Sequence, residues 1–265
     1  MSKEFKIFDF HNHIFPDNIA EKAVANIGRY YGLDMWGRGT VDALLESASQ
    51  INAERIVVHS SATHAGQVKA INDYIAGVIG SHPHLIGFGT LHSGLDDIES
   101  EVQRLITLGL RGIKLHPEFQ LFSIDDESML PVYAAIEGKL PMLIHMGDAN
   151  KDSSSPLRLA RILDWFPKLV VIAAHLGGYQ MWDESVKYLV GRNVYMDTSS
   201  SLAYLNADKA VELMRRHGIE KILFGTDFPM WGHQEELDRF LSLGLTEEEK
   251  RVILYENAAT LLGVS

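Results

Sequence analysis

Short apolar runs that alternate with helical patterns constrain the fold of this chain more than any other feature. Eight such runs occur, and each precedes a polar or glycine-containing loop and then a helix-like segment. In chain order, the runs are residues 5–10, 55–58, 85–91, 110–115, 141–144, 169–174, 194–196 and 221–224. Their shortness and their Val and Ile content are typical of strands buried on both faces of a parallel sheet.

The segments between the runs have one-sided apolar faces. Apolar side chains recur at helical spacing over 68–79 and again over 98–106, as expected for helices packed on a sheet. Thr246 and Glu249 form a capping-box pattern that predicts a final helix over 246–263. Eight strand–helix alternations in 265 residues match a (β/α)8 TIM barrel, with a doubly wound open sheet as the alternative. Without a linker or a composition break, one domain over 1–265 is predicted.

The absence of cysteine restricts the chemistry of any site. The 265 residues include no Cys, which excludes disulfides, thiolate metal sites and a cysteine nucleophile. A chain of this length also buries a full core without such crosslinks. Any metal ion must therefore be held by imidazole and carboxylate groups.

The charge balance bears on the choice of partner. The formal net charge is −11, whereas a protein that binds nucleic acid needs a basic footprint. No apolar run is as long as a membrane span, and the first residues show no signal-peptide core. The expectation is a cytoplasmic protein whose partner is a small molecule rather than nucleic acid or a membrane.

Histidines are concentrated at the ends of the predicted strands. Seven of the twelve histidines directly follow six consecutive strands, and an aspartate follows the eighth. These residues are His11, His13, His59, His92, His116, His145, His175 and Asp227. Because the carboxyl ends of barrel strands converge on the face that carries active sites, the placement predicts a site there.

The first strand ends in the pattern H-x-H. Residues two apart on a strand point the same way, so His11 and His13 can present two imidazoles to one ion. The pattern alone is common by chance. It becomes specific in combination with His145, His175 and Asp227 after strands 5, 6 and 8.

This order of residues resembles that of the amidohydrolase superfamily. Four motifs resemble its amidohydrolase-related branch more narrowly: GIKLHP (112–117), HLGG (175–178), GTDFP (225–229) and NAATLLG (257–263). The resemblance extends from Asp9 to Gly263 and implies a (β/α)8 barrel. The branch contains metal-dependent hydrolases and non-oxidative decarboxylases or hydratases of small carboxylic acids, and its barrels are often dimers.

The resemblance implies a set of metal ligands. His11, His13, His145 and Asp227 would bind one divalent cation, and Asp227 would also shuttle protons. Three imidazoles and one carboxylate suit Zn²⁺ best, with Mn²⁺, Fe²⁺ or Co²⁺ as alternatives. His175 would contact the metal-bound water or the substrate, or would bind a second metal as in binuclear relatives.

Four further residues are candidates for substrate binding. Lys114 has three interpretations: a carbamate that bridges two metals, a cationic contact to a substrate carboxylate, or a structural ion pair. His116 is either close to the site or structural. Arg38 belongs to a glycine- and aromatic-rich stretch predicted as a lid loop, and binds a substrate anion or lies at the surface. Trp231 would supply an apolar wall.

The predicted reaction is hydrolysis of an amide, ester or lactone by a metal-activated water. Asp227 would take the water proton, and His175 would steady the oxyanion. The same residues support a non-oxidative decarboxylase, and the sequence does not separate the two. A metal-dependent deoxyribonuclease and a non-catalytic binding barrel are further alternatives. The nuclease is disfavoured by the net charge and by Lys114 and His116, where that family carries a glutamate.

Overall fold

The computed structural model describes residues 5–264, in which eight strands are separated by helices. The strands are β1 (Phe8–His13), β2 (Arg55–His59), β3 (Leu85–Gly89), β4 (Gly112–Leu115), β5 (Met142–Ile144), β6 (Val171–Ala173), β7 (Tyr195–Asp197) and β8 (Ile222–Leu223). The helices are α1 (Asp17–Tyr31), α2 (Val41–Ser49), α3 (Val68–Ser81), α4 (Ile98–Thr107), α5 (Pro117–Gln120), α6 (Leu130–Ile136), α7 (Pro156–Trp165), α8 (Trp182–Tyr188), α9 (Ala207–His217), α10 (His233–Leu241), α11 (Glu247–Arg251) and α12 (Asn257–Leu262).

The order of the strands defines the fold class. The strands form one eight-stranded sheet whose order follows the chain, from β1 to β8. A doubly wound sheet departs from chain order at its switch point, so the alternative fold is excluded. The predicted (β/α)8 TIM-barrel class is confirmed. None of the helices within residues 5–264 is both long enough and apolar enough to cross a membrane.

The chain comprises two compact units, which we call the terminal unit (Met1–Val58 with Thr198–Ser265) and the central unit (His59–Asp197). In the terminal unit, Phe8, Phe10, Phe224 and Phe240 are fully buried. The rings of Phe224 and Phe240 lie 5.6 Å apart, so α10 packs on the chain that leaves β8. Aromatic burial of this kind fixes the position of the β8 end that leads to Asp227.

The central unit contains the strands from β3 to β7. Parallel pairing sets Lys114 opposite Leu143 and Ala173 opposite Ile144. Gly112 lies in register with Phe88, and a β-carbon on Gly112 would lie only 2.5 Å from Phe88 Cζ. The glycine that opens the GIKLHP motif is therefore required by close packing between β3 and β4.

The structure differs from the sequence prediction after β1. The stretch from 29 to 38 is predicted as a lid loop, but its first residues lie in α1, whose C-cap residue Gly32 has a left-handed backbone (φ 67°). Ala20 and Val24 are buried on one face of α1, which explains why the segment is helical. The final helix is confirmed as a helical run with Thr246 as its N-cap, the capping box with Glu249, and a π-helical turn over Val252–Glu256.

Candidate metal and catalytic site

The terminal unit brings three of the predicted metal ligands together. The Nε2 atoms of His11 and His13 are 3.3 Å apart, and each lies 3.4 Å from Oδ1 of Asp227. Ligands of a tetrahedral ion with bonds of 2.0–2.1 Å are separated by about 3.3 Å. The three donor atoms therefore fit one divalent cation, and two imidazoles with a carboxylate are the donor chemistry that such a cation takes.

Backbone contacts to β1 place Asp227 beside the two imidazoles. The amide of Asp227 donates to the carbonyl of His11 at 2.9 Å, and the amide of His13 donates to Phe228 at 2.7 Å. Asp227 has a left-handed backbone (φ 64°), which is rare for a residue other than glycine. Strain of this kind persists where the surrounding contacts overdetermine the backbone, and it is common at functional sites.

Two serines that follow β7 orient these ligands. Ser200 Oγ donates to Oδ2 of Asp227 at 2.5 Å, which leaves Oδ1 facing the imidazoles. Ser199 Oγ lies 3.0 Å from Nδ1 of His11, on the side of the ring opposite the Asp227 contact. Such partners fix the tautomer and the rotation of a ligating imidazole. Neither serine is predicted from the sequence, although the polar run after β7 lies at the same strand end as the predicted ligands.

Trp231 is linked to Asp227 by two hydrogen bonds that share the Ser200 hydroxyl. The indole Nε1 donates to Ser200 Oγ at 2.9 Å, and the guanidinium of Arg239 lies 4.5 Å from the indole ring centroid. Trp231 is thus held in one orientation beside the carboxylate. Arg38, the other substrate-binding candidate in this unit, is exposed in the segment between α1 and α2.

The central unit contains a second group of histidines. His145 follows β5 and His175 follows β6, and Nε2 of His175 lies 2.9 Å from Nδ1 of His145. The other nitrogen of His145 lies 2.9 Å from the carbonyl of Gly147. Burial, with the neighbouring His116 and His175, holds the pKa of His145 well below its usual value. His145 is therefore neutral at pH 7, the form in which imidazole binds metals.

His116 and Glu118 complete this central group. The ring of His116 stacks on that of His145 at 4.0 Å between centroids and an angle of 10°. Oε2 of Glu118 lies 3.4 Å from Nδ1 of His116. Because the lone pairs of imidazole nitrogens lie in the ring plane, two nearly parallel stacked rings do not point at one ion. The contact of His116 with Glu118 is instead a polar pair beside His145.

Lys114 and Asp197 lie in the same unit. Lys114 is fully buried in β4, and its charge is among the influences that lower the pKa of His145. Asp197, at the end of β7, accepts a hydrogen bond from the amide of His175 at 3.1 Å. Asp197 and Glu118 are polar residues that sequence analysis did not single out, because neither is part of a histidine motif.

The buried carboxyl group of Glu236 in α10 is expected to make the stability of the protein depend on pH. The side chain is buried, one carboxylate oxygen pairs with Arg239, and burial raises the pKa of Glu236 to about 7 despite this partner. A folded-state pKa above the unfolded value of 4.5 costs stability once both states are ionised. The cost grows from about pH 4.5 to pH 7 and then stays constant.

We therefore expect Glu236→Gln to be more stable than the wild type at pH 8, by up to about 3 kcal/mol, with the gap closing toward pH 4.5. Urea unfolding at several pH values measures it. The matched control is Glu235→Gln, which removes an exposed partner of the same Arg239. A gap that does not change with pH, or that widens on acidification, would contradict the expectation.

The chain belongs to the Amidohydrolase family, whose model matches residues 8–264. It is therefore an enzyme of that family, as the resemblance of its motifs predicted. The match spans both units and includes every predicted site residue.

Three solved structures illustrate the likeness. A 5-carboxyvanillate decarboxylase from Sphingomonas paucimobilis is 15% identical, with a TM-score of 0.75 over 98% of this chain and 100% of that one. A dihydroxybenzoic acid decarboxylase from Polaromonas with bound manganese is 16% identical, with a TM-score of 0.74 over 98% and 97%. A probable 2-pyrone-4,6-dicarboxylic acid hydrolase from Acinetobacter baumannii is 16% identical, with a TM-score of 0.72 over 97% and 99%. At these identities, the likeness establishes the fold.

Proposed function

We propose that this enzyme is a metal-dependent hydrolase of a small amide, ester or lactone. The observation that carries the proposal is the position of Asp227, whose Oδ1 lies 3.4 Å from both imidazoles of the H-x-H pair. His11, His13 and Asp227 would hold a divalent cation, and His145 is the fourth ligand in our proposal. One Zn²⁺ per chain is the expected loading, with Mn²⁺ as the alternative because a similar structure contains manganese.

The proposed chemistry divides between the cation and the side chains. When bound, a divalent cation supplies a water of lowered pKa and polarises the scissile carbonyl. Asp227 would accept a proton on its carboxylate, which the Ser200 hydroxyl holds in place through Oδ2. The same carboxyl would then protonate the leaving group. His175 would donate a hydrogen bond to the oxyanion.

Decarboxylation of a small carboxylic acid is the second candidate. It is supported by the similar structures, since two of the three described above are decarboxylases of aromatic acids. In that reaction the bond from carbon to the carboxylate breaks, its electron pair stays on the carbon, and a proton from Asp227 or His175 replaces the CO₂ that leaves. Lys114, His116, Arg38 and Trp231 remain our candidates for substrate contacts.

A substrate panel decides between the two reactions. Purified enzyme loaded with Zn²⁺ or Mn²⁺ is mixed with lactones, esters and hydroxybenzoates, while acid release and CO₂ are followed separately. Acid release without CO₂ supports hydrolysis, and one CO₂ per molecule of acid consumed supports decarboxylation. Asp227→Asn enzyme purified in parallel reveals any contaminating activity. Absence of both products across the panel would argue against both candidates for these substrate classes.

Removal of the metal is expected to lower thermal stability. A ligand that binds only the folded state adds about 2.7 kcal/mol at a free concentration of 100 Kd. Chelation should therefore lower the Tm of the wild type by several degrees, and added Zn²⁺ should restore it. His11→Ala should show neither change, whereas His82→Ala, which replaces a histidine outside the site, should behave as the wild type does.

Calorimetry and elemental analysis on the same samples check this prediction. One equivalent of metal per wild-type chain supports the proposed four-ligand site. Two equivalents would instead support the interpretation of Lys114 as a carbamate that bridges two metals. A wild-type protein that binds no divalent cation would overturn the proposed function. Cytoplasmic location and a homodimer remain predictions.

A further inference from the structure

A buried carboxylate, Asp9, joins the two segments that carry the metal ligands of the terminal unit. Asp9 is fully buried in β1. Its Oδ1 accepts hydrogen bonds from the amide of His11 at 3.1 Å and from the amide of Thr226 at 3.0 Å. One of these amides belongs to a ligand, and the other belongs to the residue directly before Asp227.

The second oxygen of Asp9 strengthens the same connection. The hydroxyl of Thr226 donates to Oδ2 at 2.6 Å, and this hydroxyl oxygen in turn lies 3.3 Å from the amide of Phe228, from which it accepts. Thr226, directly before Asp227, is thus bonded to Asp9 through its amide and its hydroxyl, and Phe228, directly after Asp227, is bonded to that same hydroxyl. Hydrogen bonds to an ionised acceptor are shorter and about twice as strong as neutral ones.

His233 contacts Asp9 and is itself in contact with Ser47. Nε2 of His233 lies 3.2 Å from Oδ2 of Asp9, and Nδ1 of His233 lies 2.7 Å from Oγ of Ser47. All three side chains are fully buried. A buried carboxylate is costly unless hydrogen bonds and a partner compensate it, so this arrangement defines one position for Asp9.

We infer that Asp9 is a positioning residue, which sets the spacing between the H-x-H pair and Asp227 and so controls the affinity for the cation. The inference rests on the proposed function, since it concerns the same metal site. A change in either segment would alter the triangle of 3.3 Å and 3.4 Å separations between donor atoms. Loss of such outer partners lowers metal affinity by about 10- to 100-fold in other metal sites.

A purely structural role for Asp9 is the competing explanation, and the two differ in what a mutation changes. A structural role predicts that Asp9→Asn lowers stability while the protein that folds binds metal as before. A positioning role predicts weaker metal binding by the folded protein. Thr226→Val and Thr226→Ser give a second pair, because valine removes the hydroxyl and serine keeps it.

The experiment measures the dissociation constant for Zn²⁺ by competition with a chromophoric chelator, alongside urea unfolding of each variant. Asp9→Asn is expected to weaken binding about 10- to 100-fold, and Thr226→Val is expected to do the same to a smaller extent. Thr226→Ser, which keeps the hydroxyl, should bind Zn²⁺ with wild-type affinity. The matched control is Tyr133→Phe, which removes the buried hydrogen bond of 2.8 Å from the Tyr133 hydroxyl to the carbonyl of Ile124, remote in sequence from His11, His13 and Asp227.

Each outcome has one meaning. Unchanged affinity in both Asp9→Asn and Thr226→Val would overturn the inference while leaving the proposed function intact. Equal weakening in Tyr133→Phe would also overturn it, since general destabilisation would then be sufficient. If Asp9→Asn does not fold, the valine and serine pair at Thr226 decides. A wild type that binds no Zn²⁺ would instead overturn the proposed function.

Discussion

Asp227→Asn is expected to lower kcat by at least about 10³-fold, the largest effect on turnover that we predict. Asparagine keeps the size of the side chain and one oxygen, but it cannot accept a proton at neutral pH. General acid–base catalysis contributes about 10²- to 10⁴-fold, and the variant also removes a negative charge from the proposed cation site. Steady-state kinetics on the panel substrate that the wild type turns over measures the loss.

Ser200→Ala provides the matched control for this prediction. It removes the hydrogen bond to Oδ2 of Asp227 and leaves the carboxylate itself in place. We expect a smaller decrease of about 10- to 150-fold, which corresponds to the loss of one charge-assisted hydrogen bond of about 1.5–3 kcal/mol. If Asp227→Asn retained turnover within a few-fold of the wild type, Asp227 would not be the proton shuttle, and His175 would become the leading candidate.

The fold was predictable because its signal is local and repeated. Each strand is a short apolar run, and eight runs in sequence leave few alternatives to a parallel barrel. Strand ends were less predictable. The run at 5–10 becomes a strand that continues through His13, and the run at 221–224 becomes a strand of only two residues. Hydrogen-bonded pairing decides those ends, and pairing depends on neighbours that are distant in sequence.

The metal ligands were predictable because their signal is also local in the sequence. The residues that hydrogen-bond to the ligand segments were not predictable. H-x-H on a strand fixes the relative direction of two side chains within three residues. The Ser199 contact with His11 links positions 188 apart, and the Asp9 contact with Thr226 links positions 217 apart. No spacing rule on a single sequence connects such pairs. They become visible only when the fold brings Ser199 and Thr226 beside the residues of β1.

Gly147→Ala is expected to reduce the free energy of unfolding by about 2–5 kcal/mol, the largest stability effect that we predict. Gly147 has φ of 84°, and a β-carbon there would lie 2.5 Å from the backbone nitrogen of Tyr179. The left-handed conformation alone costs about 1–2 kcal/mol for alanine. The steric overlap adds about 1–3 kcal/mol, because the atoms of Tyr179 that the β-carbon would meet belong to the backbone and cannot rotate away.

Gly138→Ala separates the two contributions. Gly138 has a similar φ of 72°, but a β-carbon there meets no atom within 4 Å, so only the conformational cost of about 1–2 kcal/mol is expected. Urea unfolding of the two variants gives the steric contribution as a difference. Equal losses in the two variants would show that the segments of Gly147 and Tyr179 move apart without cost. Because the carbonyl of Gly147 contacts Nε2 of His145 at 2.9 Å, such movement would also mean that this contact does not hold the imidazole rigidly.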